Sequence, residues 1–178
     1  NYKVDCYIPA YELLPQRIIL GSETASTVSS RGVYHFPAKL GAAIMHEDHQ
    51  SSSYDTEYCW WSNIPDNDFA ADEDYPWCIG QFVWTGFDYI GEPTPYGWPA
   101  RSSYFGIVDL AGFPKDIYYL YKSEWTDEPV LHLFPHWNWT PGQEVDLWCY
   151  YNNADEVELF VKGKSMGVKK NSMEVTKR

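Results

Sequence analysis

The stretch Arg17-Ile18-Ile19-Leu20-Gly21-Ser22-Glu23-Thr24 decides the fold of this 178-residue chain. Three large apolar residues in a row, at 18–20, are typical of a strand in a parallel sheet that is covered on both faces. Gly21 and Ser22 then give the chain room to turn, so we expect Glu23 to follow the carboxyl end of the strand. In α/β barrels this end carries the catalytic residues. The alternative is a solvated glutamate that opens a loop.

A second strand with polar side chains at its end is predicted within residues 80–96. Residues 81–87 are mostly apolar, and a loop rich in glycine and proline follows them. Trp84, Asp88 and Glu92 belong to this region. Two strand ends therefore offer acids and aromatic rings together.

Aromatic residues are unusually frequent, at 18% of the chain, with 9 Trp and 15 Tyr. Rings with polar edges suit sugar-binding clefts, because the apolar face of a pyranose stacks on them. An aromatic core or a protein interface is the alternative explanation of this composition.

The net charge of −12 is unevenly distributed. Residues 1–128 hold 19 acidic and 7 basic side chains, whereas residues 129–178 hold six of each. Nucleic acid and anionic membrane surfaces are disfavoured as partners, because phosphate binding needs clustered Lys and Arg and none occurs between Lys39 and Arg101. A neutral substrate fits this charge distribution better.

The two strand segments, in this order and at this spacing, resemble the last two barrel strands of glycoside hydrolase family 2, and more particularly its bacterial β-galactosidase-type members. Four further segments carry the same resemblance: residues 29–34, 104–116, 135–139 and 157–167. The resemblance implies an α/β fold that is the C-terminal portion of a (β/α)8 TIM barrel, over residues 1–126. An incomplete all-β immunoglobulin-like sandwich would follow over residues 127–178.

Local patterns predict elements that agree with this division. A short helix is expected at 9–14, ended by Pro15, and a helix of the barrel is expected to begin at Pro114 and end near Glu124, with Ile117, Leu120 and Tyr121 on one face. Residues 41–76 form a polar, acidic excursion that we expect to be partly helical and to lie over the catalytic mouth.

From residue 130 the pattern has period two, with strands predicted at 130–134, 145–151 and 157–161. The family usually has Asn-Gly at the tip of the following hairpin, where this chain has Lys162-Gly163, and Lys tolerates a positive φ less well. A barrel needs about 250 residues and a sandwich of this kind about 100, so we expect the chain to be a fragment that is stable only with the upstream part of the same polypeptide.

The resemblance also assigns chemical roles. Retaining glycosidases use two carboxylates about 5 to 5.5 Å apart, and Glu23 matches the position of the nucleophile. Tyr2 matches the tyrosine that donates a hydrogen bond beside it. The acid/base glutamate follows an asparagine in the family, and this chain has no Asn-Glu pair, so it is expected upstream. Neither Asp88 nor Glu92 is expected to be the acid/base.

The substrate-binding residues implied by the resemblance are Tyr2, Trp84 and Asp88. Trp84 would form the aromatic floor of the sugar subsite, and Asp88 would act at the pocket or brace its loop; a core Trp is the alternative for Trp84. The implied reaction is hydrolysis of terminal β-D-galactosides or related β-hexosides, in the periplasm or outside the cell. Ser26 stands where some members have a histidine, which weakens the case for galactose over other hexosides.

Two other classes of function stay open: a non-catalytic carbohydrate-binding protein of the same ancestry, and a β-rich interaction module. No cofactor is expected. His46 and His49 resemble a metal motif, but their spacing is not that of HExxH, and we predict no metal site. The four cysteines are widely spaced and indicate neither a zinc ribbon nor a disulfide-dense scaffold.

Overall fold

The computed structural model describes residues 4–170. A 3-10 helix, Val4–Cys6, leads into the first α-helix, and short strands and two more helices follow. The α-helices are α1 Tyr7–Leu13, α2 Pro65–Asp74 and α3 Asp116–Trp125. The strands are β1 Ile19–Thr24, β2 Gly41–Ala42, β3 Glu57–Tyr58, β4 Cys78–Val83, β5 Leu131–Phe134, β6 Trp148–Tyr151, β7 Glu156–Val161 and β8 Lys164–Lys170. Among the helices of residues 4–170, none combines the length and apolar character that crossing a bilayer requires.

Strands β1 and β4 pair in parallel, as expected for consecutive strands joined by a helical connection. The predicted end of β1 was wrong: the strand continues past Leu20 to Thr24, which pairs with Val83, so Glu23 lies inside the strand. Gly21 is needed for packing, because a Cβ there would lie 2.8 Å from the Tyr7 hydroxyl oxygen. Gly21 therefore lets Tyr7 approach the strand closely. The turn predicted at Gly21 and Ser22 is absent.

The apolar side chains of this sheet are only partly covered. Leu20 is 47% exposed, Ile79 55% and Phe82 62%. Within residues 4–170, β1 and β4 form a two-stranded sheet with no third partner. The expectation that both faces are covered is therefore not met by the described residues themselves.

Strand β4 begins and ends earlier than predicted, at Cys78 and Val83 instead of 81 and 87. Beyond Val83 the chain leaves the sheet and pairs with residues 105–108. The Thr85 amide donates to the Phe105 carbonyl, and the Ile107 amide donates to the Thr85 carbonyl. The segment that holds Trp84 and Asp88 is thus fixed by a loop about twenty residues downstream.

Helix α3 connects the two halves of the chain. Its buried face carries Ile117, Leu120 and Tyr121, as its periodicity predicted. It begins at Asp116, two residues later than expected, because Lys115 is extended and buried at the N-cap. The core cluster on this face also contains Tyr54, Phe69, Phe134 and Tyr150, so it extends across residue 126.

The C-terminal region consists of two antiparallel pairs, β5 with β6 and β7 with β8. Val161 pairs with Lys164 across a two-residue turn. Both turn residues have positive φ, 50° at Lys162 and 77° at Gly163, which is the backbone of a type I′ turn. The lysine therefore adopts the conformation for which asparagine is the usual choice.

Candidate active site

The ends of β1 and β4 are joined by hydrogen bonds that place Glu23 and Trp84 in neighbouring positions. The Trp84 amide donates to the Thr24 carbonyl at 3.1 Å, and the Thr24 hydroxyl donates to Gln81 Oε1 at 2.7 Å. Thr24 is fully buried, whereas Glu23 is partly exposed. The carboxylate is therefore carried by backbone that the parallel pairing holds in place.

Trp84 forms one side of a polar and aromatic group. Its ring is 36% exposed and meets the Tyr89 ring edge-on, with centroids 6.1 Å apart. The Tyr89 hydroxyl donates to the Glu92 carboxylate. We call Glu23, Trp84, Tyr89 and Glu92 the strand-end cluster.

The pKa of Tyr89 reflects the charges in this cluster. Burial raises the pKa of Tyr89 to about 12, and the hydrogen bond to Glu92 and the negative charges of Glu92 and Glu23 act in the same direction. The charge on Glu23 is therefore near enough to act on the Tyr89 phenol. The Tyr89 phenol therefore stays protonated and remains a hydrogen-bond donor at any pH near neutrality.

Asp88 is held in place by a backbone amide and a buried lysine. Its carboxylate accepts from the Gly106 amide at 2.8 Å and lies 2.8 Å from Lys115 Nζ. Lys115 is 1% exposed and also donates to the carbonyls of Ser29 and Tyr104. Burial raises the pKa of Asp88 and lowers the pKa of Lys115, and the attraction between the two opposes both shifts.

This bracing also requires a glycine. A Cβ at position 106 would lie 2.1 Å from the Asp88 amide nitrogen, so only Gly lets the two loops approach so closely. Asp88 therefore connects the loop that carries Tyr89 and Glu92 to α3. A direct contact between Asp88 and sugar stays a prediction.

The turn after Glu23 has left-handed backbone. Ala25 and Ser26 both have φ of 56°, and the Asn63 amide donates to the Ala25 carbonyl at 3.0 Å. Ser26 is fully buried, so the residue at the position of the family's histidine faces the interior. Nearby Asp68 is 2% exposed, and burial raises its pKa to about 7.

The sequence patterns predict no role for Tyr89 or Lys115, and they raise Glu92 only as an acid/base candidate. The pairing of Tyr89 with Glu92 does have a local signal, which is a Tyr three residues before a Glu in a Gly/Pro-rich loop. Lys115 had no local signal, because its partner is 27 residues away. Tyr2 lies outside the described residues, so its predicted hydrogen bond to the nucleophile stays a prediction.

Comparison with known sequences identifies relatives of this chain. It is 55% identical over 168 residues to the β-galactosidase BoGH2A of Bacteroides ovatus, which covers 90% of this chain and 20% of that protein. It is 48% identical over 99 residues to a putative β-glucuronidase of Formosa agariphila, covering 53% of this chain and 10% of that protein. Residues 142–178 match a family described as a domain of unknown function (DUF4982).

Solved structures give the same result. A β-glycosidase from Bacteroides vulgatus superposes with a TM-score of 0.77 and 31% identity, covering 92% of this chain and 24% of that one. A glycosyl hydrolase family 2 member from Bacteroides cellulosilyticus gives a TM-score of 0.65 and 25% identity, covering 97% of this chain and 22% of that one.

These matches define the class: the chain shares its fold with glycoside hydrolases. It belongs to glycoside hydrolase family 2. The chain spans only about a fifth of the length of BoGH2A.

Proposed function

We propose that this chain is the C-terminal part of a catalytic TIM barrel, residues 1–126, followed by the first strands of an immunoglobulin-like sandwich, residues 127–178. The parallel β1–β4 pair and the antiparallel pairs after residue 130 support this division. The exposed apolar side chains of β1 and β4 are those that further barrel strands would cover. The main partner of the chain is then the upstream part of the same polypeptide.

The activity we propose is retaining, exo-acting hydrolysis of a glycoside, with Glu23 as the nucleophile. In the first step a Glu23 carboxylate oxygen bonds to the anomeric carbon as the bond to the leaving oxygen breaks, and an upstream glutamic acid protonates that oxygen. In the second step the upstream glutamate takes a proton from water, and the water oxygen bonds to the anomeric carbon and displaces Glu23. The observation that carries this proposal is the placement of Glu23 beside Trp84 and Tyr89.

We propose terminal β-D-galactosides or related neutral β-hexosides as substrates. The strand-end cluster contributes two carboxylates and no cation, which suits hydroxyl groups better than the carboxylate of a glucuronide. The name of the Formosa relative makes a β-glucuronide the second candidate. A non-catalytic sugar-binding protein of the same ancestry is the other alternative. By family resemblance we place the protein in the periplasm or outside the cell.

The test of the proposed function is covalent labelling of the intact polypeptide that contains this chain. A 2-fluoro-β-galactoside with a good leaving group should leave a glycosyl ester on Glu23, because fluorine slows both steps by destabilising their oxocarbenium-like transition states and the good leaving group speeds only the first. Peptide mass spectrometry would locate the label. A label on another carboxylate would overturn the assignment of Glu23, and sugar binding without any label would favour the non-catalytic alternative.

Trp84→Ala should lower kcat/KM by about 100-fold, which corresponds to about 2.7 kcal/mol of transition-state stabilisation. The substitution removes the stacking surface for the sugar and the ring against which Tyr89 rests. Steady-state kinetics on an aryl β-galactoside would measure the loss. Trp137→Ala is the matched control, since Trp137 is 67% exposed on the segment between β5 and β6. Equal kinetics for both variants would remove Trp84 from the site.

A further inference from the structure

A second group of polar side chains lies outside the strand-end cluster, in the long connection between β1 and α2. It consists of His35, His46 and Glu57, which each offer one nitrogen or oxygen atom, all within 4.8 Å of one another. The three residues come from different parts of the connection, eleven positions apart in each case. The sequence pattern does not reveal the group, because the motif that His46 suggests involves only its neighbour His49.

Glu57 and His46 are already in contact. Glu57 is 3% exposed, and its Oε1 lies 2.7 Å from His46 Nε2. Its other oxygen, Oε2, accepts the Ser52 amide at 3.1 Å. Because β3 carries Glu57 and the Ser52 amide orients it, the carboxylate is fixed before any ligand arrives.

His35 completes the group and brings a supporting carboxylate. Its Nε2 lies 3.1 Å from Asp48 Oδ2, and its Nδ1 is buried with no hydrogen-bond partner in the described part of the chain. A histidine with a carboxylate on one ring nitrogen and the other nitrogen unused is the arrangement of many metal-bound histidines. The His35 Nδ1 atom is therefore available to a ligand.

We propose that His35, His46 and Glu57 bind a divalent transition-metal ion, with Zn²⁺ the best match, and that Asp48 accepts a hydrogen bond from His35 and orients its ring. Two imidazoles and one carboxylate form a common zinc ligand set, to which water adds a fourth ligand. Mg²⁺ and Ca²⁺ fit less well because they prefer oxygen ligands. The proposal does not depend on the proposed glycosidase activity.

Binding requires one of the two imidazole rings to turn out of the stack. The His35 and His46 rings are stacked, with centroids 3.5 Å apart and planes 9° from parallel, so their in-plane lone pairs do not converge on one point. Ligand atoms around a tetrahedral zinc are about 3.3 Å apart for bonds of about 2.0 Å. His35 is the ring that can turn, because 26% of its side chain is exposed and it comes from a loop.

The experiment is a zinc and cobalt titration of the intact polypeptide after chelation, without a histidine tag. Calorimetry should show one Zn²⁺ per chain, and Co²⁺ should give the visible absorption of a tetrahedral site. Asp48→Asn should weaken zinc binding about 10–100-fold, and Glu57→Gln should weaken it further because a ligand is lost. His46→Ala should abolish the cobalt spectrum.

His136→Ala is the control, because His136 is an exposed histidine outside the group and should leave zinc binding unchanged. Circular dichroism of each variant separates loss of a ligand from loss of folding, and Glu57→Gln, a nearly isosteric change, gives the cleanest comparison. Absence of binding in the unsubstituted protein would overturn the proposal. The proposal would also be overturned if the Glu57→Gln and His46→Ala variants bound zinc as strongly as the unsubstituted protein does.

Discussion

Glu23→Gln is expected to lower kcat for an aryl β-galactoside by about four orders of magnitude in the intact polypeptide, or about 5.4 kcal/mol of barrier. Glutamine keeps the shape of the side chain but lacks the negative charge and the nucleophilic oxygen that the covalent step requires. Because Glu23 is partly exposed and the backbone of β1 carries the pairing with β4, folding should be almost unaffected. Steady-state kinetics together with circular dichroism would measure both effects.

Glu73→Gln is the matched control for this experiment, because Glu73 is an exposed glutamate on α2. It should keep full activity. If Glu23→Gln retained more than about a tenth of the original kcat, Glu23 could not be the nucleophile. The same variant also bears on the non-catalytic alternative, since a protein that only binds sugar would show no turnover before the substitution and a change in affinity after it.

Much of the fold could be predicted because it depends on local patterns. The apolar run before Gly21 predicted a strand, and the spacing of Ile117, Leu120 and Tyr121 predicted the buried face of α3. The exact ends of these elements depend on distant partners. Strand β1 continues to Thr24 because Val83 pairs with it, and α3 begins after Lys115 because Asp88 and two loop carbonyls hold that lysine.

The candidate site shows the same division. Glu23 and Trp84 could be found because each lies at the end of an apolar run in the sequence, and parallel pairing of β1 with β4 then brings the two positions together. The groups that form across loops could not be found in this way. His35 and Glu57 each lie eleven residues from His46, and the backbone path of the connection between β1 and α2, rather than any motif, brings the three together.

Lys115→Met is expected to cost about 3–5 kcal/mol of stability at neutral pH, because it leaves the buried Asp88 carboxylate without its cation. The remaining partners of that carboxylate are neutral donors, the Gly106 amide and the Ser103 hydroxyl. Urea unfolding of the intact polypeptide would measure the loss, followed by the fluorescence of the tryptophans. Lys122→Met is the control, because the Lys122 pair with Glu128 is exposed and should contribute little.

The sign of the pH dependence identifies the orphaned charge as the cause. Burial already raises the pKa of Asp88, and Lys115 opposes that rise. Without the lysine, the folded-state pKa rises further above the unfolded value of about 3.9. The variant's deficit is therefore small below that value and grows as the pH rises through the folded-state pKa. A deficit that is the same below the unfolded value and at neutral pH would point to lost packing instead, and Asp88→Asn added to Lys115→Met should restore part of the stability because the charge is then gone.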